Sequence, residues 1–204
     1  LIAKRAFPNA VMVTDRFHVQ QLATEALQEM RIKHRWDAID AENEAYEIAK
    51  TQKKSFTPEI LENGDTLKQL LARSRYILYK KREDWRPSQQ ARATILFNKY
   101  PDLAKAYELS QQLSSIFSNT KDKIYGYTRL AKWHEMVNQS GFKSFNTISR
   151  TIMNHYKTIL NFFDHRNTNA SAESFNAKIK AFRAQFRGVT NIEFFLYRLT
   201  KIYA

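Results

Sequence analysis

Cysteine is absent from the 204 residues, which excludes disulfides and any zinc site built on thiolates. The expected compartment is therefore the cytoplasm, with nucleoid association following from the charge described next. Acidic residues are scarce beside basic ones: 20 Asp and Glu stand against 33 Lys and Arg, a formal charge of +13 with a pI near 9.9. Such an excess points to a polyanionic partner, with nucleic acid first and an anionic membrane surface as its competitor. Glycine and proline number only 4 each, too few for the many turns of an all-β fold, so long helices joined by few turns are expected. No apolar run approaches the roughly 18 residues that a membrane span requires. Leu1-Ile2-Ala3-Lys4-Arg5 leads into a polar turn rather than a secretory leader, and Leu1 in place of Met suggests a piece of a longer protein. Also missing are a Gly-rich phosphate loop, a nucleophile elbow and a two-His zinc motif. The five histidines, His18, His34, His134, His155 and His165, show no paired metal-ligand spacing.

What remains is a globular composition, 43% hydrophobic and 13% aromatic, with material for a real core. Residues 1–7 read as a helix end stopped by Pro8-Asn9, and Val11-Met12-Val13-Thr14 reads as a short β-branched strand ending at Asp15. From Arg16 to Thr51 the spacing of Val19, Leu22, Ala23, Ala26, Leu27 and Met30 predicts a helix, for which Asp15 is a suitable N-cap. Residues 53–65, with Pro58 and Gly64, read as a loop or hairpin. The longest helical block is expected next, with Leu67, Leu70, Leu71, Ile77 and Leu78 inward and Lys68, Arg73, Arg75, Lys80, Lys81 and Arg82 outward. Trp85-Arg86-Pro87-Ser88 breaks it, Ser88 caps a helix to about Tyr100, and Pro101-Asp102 begins another. Trp85 reads as a core anchor between helices. Two more helices are expected near residues 121–139 and 144–164, then a turn at Asp164-His165-Arg166-Asn167 that terminates the second. The final helix, from about Asn191, buries Ile192, Phe195, Leu196, Leu199 and Ile202.

Between those last helices lies the most informative stretch, Thr168-Asn169-Ala170-Ser171-Ala172-Glu173-Ser174-Phe175-Asn176-Ala177-Lys178-Ile179-Lys180. Thr168, Asn169 or Ser171 can cap a helix whose apolar stripe is Ala172, Phe175, Ile179, Phe182 and Phe186, and Gly188 ends it. Glu173, Asn176, Lys180, Arg183 and Arg187 fall on a different, mostly basic side. Glu173 occupies the first turn, where the helix dipole favours a negative charge. Those facts are satisfied by an ordinary acidic helix start with a solvated basic face. The sharper reading of the same facts is a carboxylate held beside a phosphate-binding surface.

This segment resembles the last catalytic motif of the DDE transposases of bacterial insertion sequences, in the ISL-three family. There Thr-Asn precedes a Glu, followed by Asn three residues on and by Lys-Ile-Lys. The family's Gly residues after Thr-Asn and after the Glu are replaced here by Ala170 and Ser174. Phe7-Pro8-Asn9-Ala10 with Asp15-Arg16-Phe17-His18-Val19, and Arg75, Leu78, Trp85, Gln89, Leu96, Pro101, Leu103, Ala106 and Tyr107, match the family too. The resemblance implies a mainly α fold: a partial RNase H-like α/β core (residues 1–20, one short strand), a helical insertion (21–160), and C-terminal core helices (161–204). It implies that Glu173 is the third catalytic and metal-binding acid, with the other two upstream of Leu1. Asp15, His18 and Asn176 would support it, and Lys178, Lys180, Arg183 and Arg187 would contact DNA. Mg²⁺ or Mn²⁺ would serve the complete enzyme, which would act on transposon ends and target DNA as a homo-oligomer, without a membrane. The fragment alone would be inactive. The other class of reading is a helical nucleic-acid-binding or assembly module without chemistry.

Overall fold

The computed structural model describes residues 8–166, 170–186, 188 and 190–203, and it divides into two compact units, one reaching Arg166 and the other starting at Asn167. The expected helix end within residues 1–7, the cap candidates Thr168 and Asn169, and Arg187 lie outside the described residues. The described residues are mainly helical and include no strand.

The first unit is organised on α1 (Arg16–Thr51), 36 residues and so about 54 Å long. Asp15 starts it as expected, its carboxylate accepting from the Phe17 N–H at 2.9 Å. Val19, Ala23, Ala26 and Leu27 are buried along one side, against which α4 packs. The run Val11-Met12-Val13-Thr14 is a correction. It is extended but joins no ladder, and its one long-range main-chain bond runs from the Thr14 N–H to the Thr158 carbonyl (2.9 Å). A β-branched run becomes a strand only where a second strand accepts its bonds, and here a helix end takes that place.

The loop after α1 returns through Thr66, which makes a reciprocal capping box with Gln69 and starts α2 (Leu67–Arg73). The longest helix is therefore α1, and the block expected from Leu67 onward is only 7 residues long, followed by two 3₁₀ turns, Ile77–Tyr79 and Arg82–Asp84. The Ser74 hydroxyl donates back to the Leu70 carbonyl at 2.6 Å, a local bond that competes with helix continuation. Leu70, Leu71, Ile77 and Leu78 are nonetheless all buried, so the apolar pattern was right where the periodicity was not.

Pro87 occupies the first position of α3 (Pro87–Lys99), so Arg86, and not Ser88, is the residue before the helix. Proline suits that place because its missing N–H would be unpaired there in any case. Pro101 repeats the device at α4 (Pro101–Asn119). α5 (Lys123–Ser140) is capped by Asp122 and closed by Gly141 at φ 72°, a left-handed conformation that favours glycine. The single helix expected across 144–164 is three: α6 (Lys143–Asn154), α7 (Tyr156–Leu160) and α8 (Phe162–His165), with breaks at His155 and Asn161. Two of those turns anchor the N-terminal segment. Thr158 meets Thr14 by main chain and by hydroxyl (2.7 Å), and the Asn161 amide donates to the Met12 carbonyl at 2.9 Å.

The largest fully buried side chains are aromatic, Trp133, Tyr107, Phe117, Phe145 and Phe162, and the polar tips of Trp85, Trp133 and Tyr107 are satisfied. Trp85 donates to the Ile77 carbonyl (3.0 Å), Trp133 to Leu109 (2.8 Å) and Tyr107 to Lys80 (2.7 Å). Trp85 is the interhelical anchor its sequence context suggests, its ring lying 5.4 Å from Tyr107 and 6.2 Å from Phe97. Burial pushes the Tyr107 phenol up to about 12. Phe117 stacks on Phe163, which in turn lies over Gly126 of α5.

Two buried charges tie the first unit together. Arg31 donates to Gln28 (2.7 Å) and to the Leu71 carbonyl in the last turn of α2 (2.8 Å), where a helix end welcomes a cation. Burial first, then Arg35 and Arg75, lower its pKa. Asp65 is fully buried and accepts from Arg73, from Arg92 (2.8 Å) and from Asn63 (2.8 Å). Burial pushes its carboxyl up, but the Arg92 and Arg73 bonds outweigh that and hold it below the ordinary 3.8.

Asp65→Asn leaves two guanidiniums facing a neutral amide, and it should destabilise the chain by about 3 kcal/mol at neutral pH. Because the folded carboxyl titrates below its unfolded value, the stabilisation is present above about pH 4 and is lost as pH falls through the depressed pKa. Thermal unfolding of both proteins from pH 7 down to pH 3 checks this: the gap between them should close only at the acid end. Gly126→Ala would bring a methyl group to 2.7 Å from the Phe163 ring. The helix propensity gained, at most about 1 kcal/mol, is smaller than the overpacking cost of about 1–3 kcal/mol. Denaturant unfolding should show net destabilisation.

Candidate functional site

The second unit consists of α9 (Ala170–Gln185) and α10 (Ile192–Tyr203). Phe182 is its most deeply buried aromatic, with ring centroids 4.5 Å from Phe186 and 5.4 Å from Phe195. Leu199 is buried as well. The Asn191 carboxamide accepts from the Phe194 N–H (2.9 Å) and so starts α10, while Gly188, at φ 94°, turns the chain between the helices. Arg198 lies over the Phe186 ring at 5.9 Å. The expected burial of α10 holds for Leu199 and in part for Phe195. Ile192, Leu196 and Ile202 are at least half exposed, because α9 covers only one side of the helix. The helix α9 ends at Gln185, three residues before Gly188, rather than at it.

The side of α9 away from Phe182 carries most of the candidate site residues of this unit. Glu173 lies in the first turn, exposed, where the free amides of the helix start favour its charge. At about 100° per residue, Lys180 projects within about 20° of Glu173, Asn176 within about 60° and Arg183 within about 80°. All three are exposed. One acid, one amide and two cations thus share a continuous wet face. Lys178 does not join them: it is exposed but lies about 140° round the helix, toward the apolar side. The unit holds six Lys or Arg against two Glu, so an anion meets a positive field along this face.

A groove of about 700 Å³ runs between α9 and α10, with Lys180 and Arg183 on its lip and Phe186, Ile192, Phe195 and Leu196 inside. The sequence pattern did not show it, since an amphipathic reading puts Phe186 on the buried stripe of α9 and Ile192, Phe195 and Leu196 on that of α10. The only local signal was the cap-type Asn191, which fixes where α10 begins.

Asp15 and His18 belong to the first unit. Asp15 is buried as the cap of α1, and His18 is exposed one turn on, its ring edge-on to Phe17. Asp164, in the turn expected to terminate the helix before Glu173, is engaged by Lys123 at 2.8 Å. Arg166 ends α8 at φ 53° and donates to the Phe117 and Ser118 carbonyls (2.7 and 3.0 Å), which closes the last turn of α4. Among the described residues, no three of His, Asp and Glu gather closely enough to hold a metal, and no helix is long and apolar enough to cross a membrane.

Two curated proteins resemble the chain. Each is a transposase for insertion sequence element IS1557 of Mycobacterium tuberculosis, from strains CDC 1551 and H37Rv, 29% identical over 178 residues. The match takes in 85% of this chain and 38% of the relative, so the chain spans well under half the length of these proteins. No solved structure matches it. A family model described as "Transposase", that of the ISL3-type DDE enzymes, matches residues 1–199, nearly the whole chain from before Asp15 to beyond Glu173. The chain therefore belongs to the ISL3 family of transposases.

Proposed function

We propose that this chain is the portion of a DNA transposase that supplies the last acid of a DDE site, Glu173. The observation that supports it is the exposed face of α9, where a first-turn carboxylate is followed on the same side by Asn176, Lys180 and Arg183. Family membership supplies the chemical class.

The donor chemistry fits a hard divalent cation such as Mg²⁺ or Mn²⁺, since Glu173 offers oxygen ligands and is reachable from solvent. One carboxylate gives one charge and at most two oxygens, so the remaining ligands come from elsewhere in the longer protein, where the resemblance puts two Asp residues. When bound, a pair of such ions activates the attacking hydroxyl and stabilises the leaving oxygen during in-line attack on a phosphodiester. The residues of this chain orient and screen. Asn176, about one helical turn from Glu173, can donate its amide to the carboxylate or to a bound water. Lys180 and Arg183 neutralise phosphates of the flanking strand, which positions the DNA without reading its bases. DNA is the partner in this reading, as transposon end and as target. The chain alone, lacking two of three acids, neither cuts nor joins.

In the complete transposase with Mg²⁺ and a transposon-end duplex, Glu173→Gln should abolish strand cleavage, a loss of at least about 10³-fold. Binding of the same duplex should be retained. Full cleavage by the variant would instead favour a helical nucleic-acid-binding module in which Glu173 merely starts a helix. Lys180→Gln and Arg183→Gln should each weaken binding uniformly across sequences. Each should also lower the slope of log affinity against log salt by about 1. Fluorescence anisotropy over a salt series reads both effects.

A further inference from the structure

The second half of α1 bears a face that the core does not use. Of its buried residues, Val19, Ala23, Ala26, Leu27, Arg31 and Ala38 lie on the core side, and Gln28, which precedes the seam, lies at its edge. On the opposite side stand Ile32, Trp36, Ile39, Asn43, Tyr46 and Lys50. Their spacing alternates four and three, which is the seam of a heptad repeat. Trp36 is 59% exposed and Tyr46 52%, large aromatic areas to leave in water. Phe56 meets Tyr46 edge-on at 6.3 Å and widens the apolar surface at that end.

Charge along the same helix is segregated. Lys33 and Arg35 flank the seam at its start, and Asp40, Glu42 and Glu47 flank it further on. No Lys or Arg lies between Trp36 and Ala49. Laid parallel on a copy of itself, the seam would pair Arg35 with Asp40 but set Glu42 against Glu47. Laid antiparallel, with Trp36 facing Ile39 of the copy, it brings Lys33 to Asp40 and Arg35 to Glu42, each twice by symmetry. Glu42 already bonds Lys68 at 2.6 Å and has a second oxygen to share. The antiparallel sum is all attractive, and the symmetric arrangement closes on itself as a dimer does.

We propose that a second copy of this chain docks on this face, as an antiparallel two-helix seam centred between Trp36 and Ile39. The overlap from Glu29 to Tyr46 is about 27 Å of helix. This inference rests on α1 alone and is independent of the role given to Glu173.

Analytical ultracentrifugation over a concentration series tests it, with circular dichroism confirming that each variant stays helical. The wild-type chain should form dimers. Trp36→Glu, an exposed substitution, should be monomeric. Lys33→Asp and Asp40→Lys should each weaken association about tenfold or more, and the double variant, which restores opposite charges across the seam, should recover it. A monomeric wild type overturns the proposal, as does a Trp36→Glu dimer. A Lys33→Asp variant that dimerises normally, or a double variant no better than the singles, overturns the antiparallel register.

Discussion

The close approach of α4 to the first half of α1 is the constraint on which the first unit depends. Small residues, Ala23 and Ala26, lie between Val19 and Leu27 on the contact side, which lets the backbone of α4 approach. The remaining helices are then placed around this pair: α2 and α6 on α1, α3 and α5 on α4. The Gln20 to Ser114 bond (3.4 Å) and the His34 to Asp102 contact (2.6 Å) mark the two ends of the α1 contact region. Beyond Ala38 no residue of the same helix is fully buried, and its contacts thin to ones such as Glu42 with Lys68 and Tyr46 with Phe56.

A helical unit with so few glycines and prolines places them at helix ends and adds side chains for the rest. Proline takes the first positions of α3 and α4 and Gly141 closes α5, while Asp15, Thr66 and Asp122 cap helix starts and Arg31 and Arg166 meet the carbonyls of α2 and α4. Part of the large basic excess is thus spent on contacts within the fold. Arg31, Arg73, Arg92 and Arg166 each serve a carbonyl or the buried Asp65, and their charge is partly committed there. The net charge of the chain therefore overstates the surface it offers to nucleic acid.

The second unit follows a different logic. Its core is a small aromatic cluster around Phe182, enough to orient α9 against α10 but not to cover either helix. What that leaves in water is what a catalytic surface needs: Glu173, Asn176, Lys180 and Arg183 along one side, and an apolar groove with a basic lip on another. The proposed metal-binding role of Glu173 is compatible with that exposure, since burial among hydrophobic residues would favour the neutral form of a carboxyl group.

The sequence by itself determined the helical class, the extent of α1 with Asp15 at its head, the anchoring of Trp85, and the amphipathic helix bearing Glu173. Each of these rests on local physics: apolar periodicity, capping chemistry and the scarcity of turn residues. Tertiary structure decided the rest. Val11–Thr14 has the composition of a strand, yet it bonds to a helix end, because no second strand adjoins it among the described residues. Leu67–Leu78 has a helical stripe, yet Ser74 stops the helix and its residues reach the core through 3₁₀ turns. Lys178 parts company with Lys180 although the two are neighbours in the motif, because side chains two apart on a helix point different ways. Periodicity says which residues seek cover. Only the folded chain shows what covers them.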